Sequence, residues 1–304
     1  MKQYYKIDQP KSGSEWDWFV QYWDADLQTH MKNTARTVSK IPNLRFLGLT
    51  GPTCSGKTTA AKILTEYLET HGRRVHVISL DDFYYENDYL QRRAANNPDI
   101  EIDYDSEETI NHELFAEKIA SLMENKPTEI PKYDFKCGKQ TKGGMIEPEP
   151  EDVFLVEGIQ VLYPKIDCVL RKAPYRSIYI CASSGIEIGS EYFEPNEIRL
   201  MRRIVRDYHF RAAPPAFSFY LWQSVRSNEE KSIFPNMHAC DYFIDSTMPY
   251  EIGMLKPYLE AILAQMPRED RFYPQAARLL QKLKSIQVVD SNLIAENSLY
   301  KEFI

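Results

Sequence analysis

Glycine is scarce in this chain, with 12 among 304 residues, yet Gly48, Gly51 and Gly56 fall within nine positions. Cysteine is sparse as well, since the five cysteines are scattered, odd in number and without a CxxC pair. That pattern argues against a disulfide framework or a zinc site and favours a reducing, cytoplasmic setting. The glycine cluster is therefore the first feature that needs an explanation.

Long apolar runs and an excess of positive charge are also missing. No segment approaches the roughly 20 apolar residues that span a bilayer, and the N-terminus lacks the apolar region of a signal peptide. Lys and Arg total 37 against 44 Asp and Glu, a net charge of −7, which disfavours nucleic acid or anionic lipid as a partner. We therefore expect neither a membrane nor a nucleic-acid partner, and any anionic ligand must be held by a local feature.

The rest of the composition, 43% apolar and 27% charged, is typical of a folded globular protein. Residues 1–43 carry aromatic side chains at helical spacing and are expected to form an N-terminal helical extension. Residues 44–250 are expected to form the main domain, and residues 251–304 to form C-terminal helices and a tail packed on it. A homo-oligomer is left open.

Apolar segments alternate with amphipathic ones along the main domain. Strands are predicted at 44–51, 73–80, 128–133, 153–157, 177–182 and 242–244, and helices at 57–71, 110–124, 196–211, 249–265 and 275–286. Strands that alternate with helices predict an α/β fold, a parallel sheet covered by helices on both faces. Residues 135–150 are predicted to form a hairpin or long loop inserted between two strands.

Two of the clustered glycines, Gly51 and Gly56, are predicted to build a phosphate-binding loop. The segment 51–58, GPTCSGKT, satisfies GxxxxGK[ST] between a predicted strand and a predicted helix. Its glycines let the backbone turn several N–H groups inward, and the helix N-terminus adds the positive end of its dipole. Lys57 should reach the β- and γ-phosphates, and Thr58 should ligate Mg²⁺. The predicted nucleotide-binding residues are Gly51, Pro52, Thr53, Cys54, Ser55, Gly56, Lys57, Thr58 and Thr59.

Acidic residues at strand ends indicate which class of nucleotide-binding protein this is. The chain has no NKxD guanine-reading motif and no LSGGQ signature, which disfavours a GTPase or a transporter ATPase. Asp81 and Asp82 follow a strand at the edge where open α/β sheets bind ligands, so one can accept a hydroxyl proton while the other caps a turn. Glu157 ends another strand, where a Walker B carboxylate would join the Mg²⁺ shell. This set predicts an ATP- and Mg²⁺-dependent kinase.

Five arginines against one aspartate occupy residues 199–211. On a helix, Arg199, Arg203 and Arg206 share one face. A row of like charges is unfavourable unless it meets an anion, so we interpret the row as a lid that closes on the transferring phosphates. A solvated basic face is the alternative.

Together these motifs resemble the uridine kinase and phosphoribulokinase family of P-loop kinases. The resemblance rests, in order, on GPTCSGKTT (51–59), DDFY (81–84), PKYDF (131–135), VFLVEGI (153–159) and RRIVRDYHFR (202–211). Three later stretches, LWQSVRSNEEKSIFP (221–235), CDYFIDS (240–246) and NSLYKEFI (297–304), look most like bacterial members described as nucleoside kinases.

The resemblance implies a P-loop NTPase fold with a helical lid, and it implies roles for individual residues. Asp81 would be the catalytic base, with Lys57, Arg203 and Arg206 acting on the transferred phosphoryl group. The acceptor, most simply a nucleoside phosphorylated at its 5′-hydroxyl, would be a small molecule bound by Tyr84, Asp105, Tyr133, Phe135, Arg203, Arg206 and Arg211, with Asp103 as the rival to Asp105.

The chain departs from the family where the base would be read. Eukaryotic-type uridine–cytidine kinases have a histidine where this chain has Gly138, and an arginine where it has Gln140. Beyond the arginine segment the chain continues Ala212-Ala213-Pro214. A kinase for another alcohol, such as a sugar phosphate or a vitamin precursor, and an ATP-binding regulatory module without turnover therefore stay open as alternatives.

Overall fold

The computed structural model of the protein describes residues 4–9, 12–96 and 105–304. Its strands are β1 (Tyr4–Ile7), β2 (Phe46–Thr50), β3 (Val75–Ser79), β4 (Thr128–Glu129), β5 (Lys132–Asp134), β6 (Lys139–Thr141), β7 (Met145–Ile146), β8 (Val153–Glu157), β9 (Tyr175–Cys181), β10 (Gly185–Ile188), β11 (Glu191–Phe193) and β12 (Tyr242–Asp245). Its α-helices are α1 (Gly13–Ser39), α2 (Lys57–Thr70), α3 (Asn87–Asn96), α4 (His112–Met123), α5 (Pro164–Leu170), α6 (Pro195–Arg211), α7 (Pro215–Asn228), α8 (Phe234–Met237), α9 (Glu251–Leu263) and α10 (Tyr273–Leu283).

A five-stranded parallel sheet in the order β12-β9-β2-β8-β3 forms the centre of the molecule. Because the strands are parallel, their carboxyl ends share one edge, and the chain segments that follow β2, β3 and β8 start side by side there. The predicted α/β class is confirmed.

Alternate residues of the central strands pack against different layers, as the period of two in a strand requires. Leu47 and Leu155 belong to a large core shared with α1, α2, α6, α9 and α10. Phe46 and Phe154 point the other way, into a second core shared with α4 and α5. Both faces of the sheet are therefore covered, which explains why its strands are apolar along their whole length.

Helix α1 is a single 27-residue helix that begins with a capping box between Ser12 and Glu15. One stripe of it, including Val20, Met31 and Val38, is fully buried in the large core. Strand β1 pairs in parallel with β10, an association that the sequence did not predict. No helix in the described ranges has the length and apolar character needed to cross a membrane.

The main difference from the predicted elements lies at 128–133. That segment is not a strand of the central sheet; it divides into β4, which pairs with β7, and β5, which forms a hairpin with β6. Gly143 and Gly144 lie between β6 and β7 rather than at the hairpin turn, which falls at residues 135–138. The hairpin is held above the carboxyl edge of the sheet, where it contributes to the candidate site.

Candidate active site

The phosphate loop joins β2 to α2 in a conformation that its glycines make feasible. A Cβ on Gly51 would lie 1.9 Å from the Ile180 carbonyl oxygen, and Gly56, the N-cap of α2, has φ of +91°. Cys54 takes the left-handed region at φ +58° despite its side chain. Such backbone strain is typical of functional sites.

The carbonyl oxygens of the loop accept hydrogen bonds from three cationic side chains. Lys57 Nζ donates to Gly51 O at 2.9 Å and Pro52 O at 3.1 Å. Arg199 Nη1 donates to Thr53 O at 3.3 Å, and Arg202 Nη1 donates to Cys54 O at 3.2 Å. With four successive carbonyls held in this way, the N–H groups of the loop are left to face a phosphate.

Arg199 and Arg202 are themselves fixed by buried ion pairs. Arg199 makes two hydrogen bonds of 2.5 and 2.8 Å to Glu229, in a π-helical turn after α7. Arg202 makes two of 2.6 and 2.9 Å to Glu251, the first residue of α9. The prediction that Arg199 lies on a lid face was therefore wrong. Its guanidinium instead donates to the Thr53 carbonyl of the phosphate loop and so holds the loop in place.

The other three arginines converge on one carboxylate. Asp207 contacts Arg203 at 3.2 Å, Arg206 at 2.7 Å and Arg211 at 3.6 Å. Helix α6 packs into the large core through its apolar residues, so this cluster lies on a fixed helix rather than on a detached flap. Asp207 sets one negative charge against three positive ones, and Glu302 acts on Arg206 from further away, so the cluster keeps a net positive charge that can attract an anion.

The two acids after β3 have different environments. Asp82 is buried and accepts hydrogen bonds from Tyr133 N at 3.0 Å and Lys132 Nζ at 3.1 Å. It therefore ties the β5–β6 hairpin to the end of β3. Asp81 is half-buried, and no hydrogen bond to its side chain occurs within the described part of the chain. Of the pair, Asp81 is the one whose oxygens are available to a substrate.

Burial, and after it the nearby carboxylate of Glu157, raise the pKa of Asp81 to about 6 against the opposing charge of Lys57. Glu157 ends β8, where it pairs in register with Leu49 of β2 and Ser79 of β3, and its Oε1 accepts a hydrogen bond from Ser79 Oγ at 2.8 Å. Asp81, Glu157 and Lys57 thus act on one another electrostatically. A base with a pKa near 6 is ionised at neutral pH yet can still hold a proton.

Three aromatic rings form one cluster, and one of them, Tyr84, is close enough to Asp81 for the charge of the acid to raise the pKa of the phenol. Tyr84 and Tyr133 meet edge to face at 5.6 Å between centroids, and Phe135 lies 6.1 Å from the first and 5.0 Å from the second. Tyr84 is buried and accepts a hydrogen bond from Gln160 Nε2 at 3.2 Å, whereas Phe135 is 65% exposed. Tyr84 and the two hairpin rings thus form a continuous aromatic wall that reaches Asp81 through Tyr84.

Asp105 lies close enough to Asp81 and Tyr84 to raise the pKa of both. Its carbonyl accepts hydrogen bonds from Tyr163 Oη at 3.1 Å and Asn228 Nδ2 at 3.2 Å, which anchor the segment. Asp103 lies outside the described residues. The fold therefore brings Asp81, Tyr84, Asp105, Tyr133 and Phe135 to one place.

The positions that depart from the family pattern have local structural reasons. Gly138 has φ of +66°, and a Cβ there would lie 2.1 Å from the Asn87 amide. Asn87 accepts a hydrogen bond from Tyr133 Oη at 3.2 Å, and the amide of Gln140 donates to Tyr84 O at 3.1 Å. An amide from α3 thus takes the space of a side chain at 138. The sequence offered no signal for Asn87.

The donor set around the loop fits a metal bound through a nucleotide rather than through the protein alone. No cluster of three or more His, Cys, Asp and Glu side chains suited to a metal occurs among the described residues. Thr58 is exposed at the start of α2, and Glu157 ends the neighbouring β8. A hydroxyl and a carboxylate at these positions suit Mg²⁺ that keeps phosphate and water oxygens as its other ligands.

A phosphate loop ahead of α2, with Asp81 and Glu157 at the ends of two neighbouring strands, defines a P-loop kinase. The Phosphoribulokinase / Uridine kinase family model matches residues 46–251, and the chain belongs to that family. It is a phosphotransferase that acts on an alcohol group.

Curated relatives share about three residues in ten with the chain. It is 28% identical over 207 residues to the uridine kinase of Latilactobacillus sakei subsp. sakei (strain 23K), covering 67% of this chain and 82% of that protein. It is 30% identical over 188 residues to a probable uridine-cytidine kinase of Caenorhabditis elegans, covering 59% and 66%.

Among solved structures, a possible uridine kinase from Bacillus stearothermophilus is similar with a TM-score of 0.48, 17% identity and coverage of 72% of this chain and 100% of that one. A putative fructose transport system kinase from Silicibacter sp. TM1040 has a TM-score of 0.49, 18% identity and coverage of 70% and 98%. Similarities of this size carry no information on the acceptor.

Proposed function

We propose that the protein transfers the γ-phosphoryl group of ATP to the 5′-hydroxyl of a nucleoside such as uridine or cytidine. The observation that carries the proposal is the wall formed by Tyr84, Tyr133 and Phe135, which reaches Asp81 through Tyr84. The carboxylate of Asp81 has no hydrogen-bond partner among the residues that the structure describes. Aromatic side chains stack on any nucleobase, because every base has a π-face. The relatives named as uridine kinases support the same acceptor class.

In this proposal each residue of the site has one task. The loop N–H groups, Lys57 and Thr59 bind the phosphates, while Thr58 and Glu157 hold Mg²⁺, which when bound neutralises charge on the phosphate oxygens. Asp81 accepts the proton of the attacking hydroxyl as the new O–P bond forms and the bond from the γ-phosphorus to the bridging oxygen breaks, releasing ADP. Charge that develops on the transferred group is met by Arg203, Arg206 and Arg211.

In the same proposal, recognition of the acceptor falls to Asp105 and to the β5–β6 hairpin. Asp105, next to Asp81, is suited to accept hydrogen bonds from ribose hydroxyls, and the hairpin aromatics flank the base. The Asn87 amide takes the space of the histidine found in eukaryotic-type members, and its Oδ1 accepts from Tyr133 Oη, so it would position the ring that flanks the base.

One observation favours a second candidate, a kinase for a sugar phosphate or another small alcohol. The amide of Gln140 is engaged with the backbone of Tyr84, and Gly138 has no side chain. The histidine and the arginine that the resemblance assigns to base reading are therefore absent from this site.

An ADP-release assay with a panel of nucleosides and sugar alcohols tests the proposal, and Phe135→Leu sharpens it. Stacking is worth about 1–3 kcal/mol per base, so this exposed substitution should raise the nucleoside KM by about fivefold or more and leave the KM for ATP unchanged. Release driven by sugar alcohols alone, and insensitive to Phe135→Leu, would favour the second candidate. ATP binding with no acceptor-stimulated release would favour a regulatory module instead.

A further inference from the structure

The C-terminal segment 297–304 docks against the phosphate loop and the first turn of α2. Within it, the half-buried Glu302 carboxylate accepts hydrogen bonds from Thr59 Oγ1 at 3.2 Å and Thr59 N at 3.4 Å. Thr59 is the third residue of α2, and the N–H groups of a first helical turn have no partner within the helix. An internal anion thus occupies the donors of the loop–helix junction.

Core packing holds this segment in place. Tyr300 and Phe303 are completely buried, and Phe303 lies under the Arg202 guanidinium, 5.1 Å from the ring centroid. Tyr300 Oη donates to Glu251 O at 3.3 Å, and Ser298 Oγ donates to Asp24 of α1 at 2.8 Å. The position of Glu302 is therefore set by its neighbours on both sides.

A second contact of the segment reaches the loop itself. The side chain of Leu299 lies over Gly56, where an added Cβ would come within 2.2 Å of its Cδ1. Glu302 is also near enough to Arg206 for their charges to interact. The segment thus lies against the glycine at the N-cap of α2, and its carboxylate acts electrostatically on one arginine of the Asp207 cluster.

The Glu302 carboxylate therefore occupies donors that a nucleotide phosphate would also use. In a phosphate loop the backbone N–H groups and the helix N-terminus cradle the α- and β-phosphates, and a carboxylate on the same N–H excludes a second anion by occupancy and by like charge. We propose that Glu302 is a built-in competitor of ATP, an autoinhibitory contact that must leave Thr59 before the nucleotide binds. The proposal rests on the proposed function, since it takes ATP as the ligand.

Release needs only a rotation of the Glu302 side chain, because Tyr300 and Phe303 can keep the backbone docked. The apparent affinity for ATP is then lowered by the fraction of molecules in which the carboxylate is bound. Removing its charge should restore the intrinsic affinity.

The test compares Glu302→Gln with Glu296→Gln, which removes the same charge from an exposed position of the same C-terminal stretch. ATP binding is measured by titration calorimetry without acceptor, and folding is checked by thermal melting. We expect ATP to bind about three- to tenfold more tightly to Glu302→Gln and within about twofold of wild type to Glu296→Gln, as displacement of a charge from a helix N-terminus implies. Glu302→Ala should match Glu302→Gln.

Unchanged or weaker ATP binding in both Glu302 variants would overturn the proposal, because the carboxylate would then be neutral or part of the nucleotide site. Tighter binding confined to the Glu302 variants supports it even when no acceptor stimulates ADP release, a result that would refute only the kinase function. No ATP binding by any of these proteins would refute both.

Discussion

Asp81→Asn should change activity and stability in opposite directions. Burial next to Glu157 raises the pKa of Asp81 from 3.8 to about 6, so the folded protein disfavours the ionised carboxylate. At 1.36 kcal/mol for each tenfold change in acidity the full effect is about 3 kcal/mol, and solvent access to the half-buried side chain reduces it to about 1–3 kcal/mol. Asparagine keeps the shape and removes the charge.

The sign follows from proton linkage. An acid with a raised pKa in the folded state stabilises the protein fully below pH 3.8, and that contribution is lost as the pH rises through 6. Asp81→Asn should therefore increase the free energy of unfolding by about 1–3 kcal/mol at pH 8 and by progressively less as the pH falls toward 4. Urea unfolding at pH 8 and pH 4.5 measures the difference.

Turnover should fall in the same variant. Loss of a general base lowers kcat by about 10² or more, while the affinity for ATP stays close to wild type. In the wild-type enzyme, kcat/KM for the acceptor should decline below a pH of about 6, where Asp81 becomes protonated. A variant that kept wild-type turnover, or that lost stability at pH 8, would refute this account of Asp81.

Two further substitutions test the supports of the site. Arg202→Lys removes the bidentate pairing with Glu251. It should lower the free energy of unfolding, measured in urea at pH 7, by about 3–5 kcal/mol and weaken ATP binding. A loss of stability below about 1 kcal/mol would contradict the role of Arg202 in holding the phosphate loop. Asp82→Ala removes the two hydrogen bonds that hold the β5–β6 hairpin to the end of β3. The acceptor KM should rise, the free energy of unfolding should fall by about 1–3 kcal/mol, and the ATP affinity measured by calorimetry should stay unchanged. An altered ATP affinity would show that the hairpin serves the nucleotide instead.

Local patterns predicted the parts of the site that lie next to each other in sequence. The loop 51–58 and the acids at the ends of β3 and β8 were identifiable because a strand end in a parallel sheet has a known position relative to its neighbours. The same reasoning placed β8 at residues 153–157, as the structure has it.

Pairings between distant segments were beyond that reasoning. The charge pattern of α6 does not show that Arg199 and Arg202 point into the core, because their partners, Glu229 and Glu251, lie 30 and 49 residues further along the chain. The short strands within 128–134 were predicted as one strand at 128–133, since a strand of two or three residues is too short to show its period. Asn87 and Glu302 are ordinary polar residues in sequence and become notable only through their neighbours.

The bracing of the phosphate loop has a thermodynamic consequence. Because the carbonyls of residues 51–54 are tied to Lys57, Arg199 and Arg202, the loop loses its conformational entropy when the chain folds. The loop therefore loses little further conformational entropy when the nucleotide binds, so more of the interaction free energy contributes to the affinity. The rigidity of the loop is thus a property of the core around Glu229 and Glu251, and substitutions there can alter nucleotide binding without touching the nucleotide.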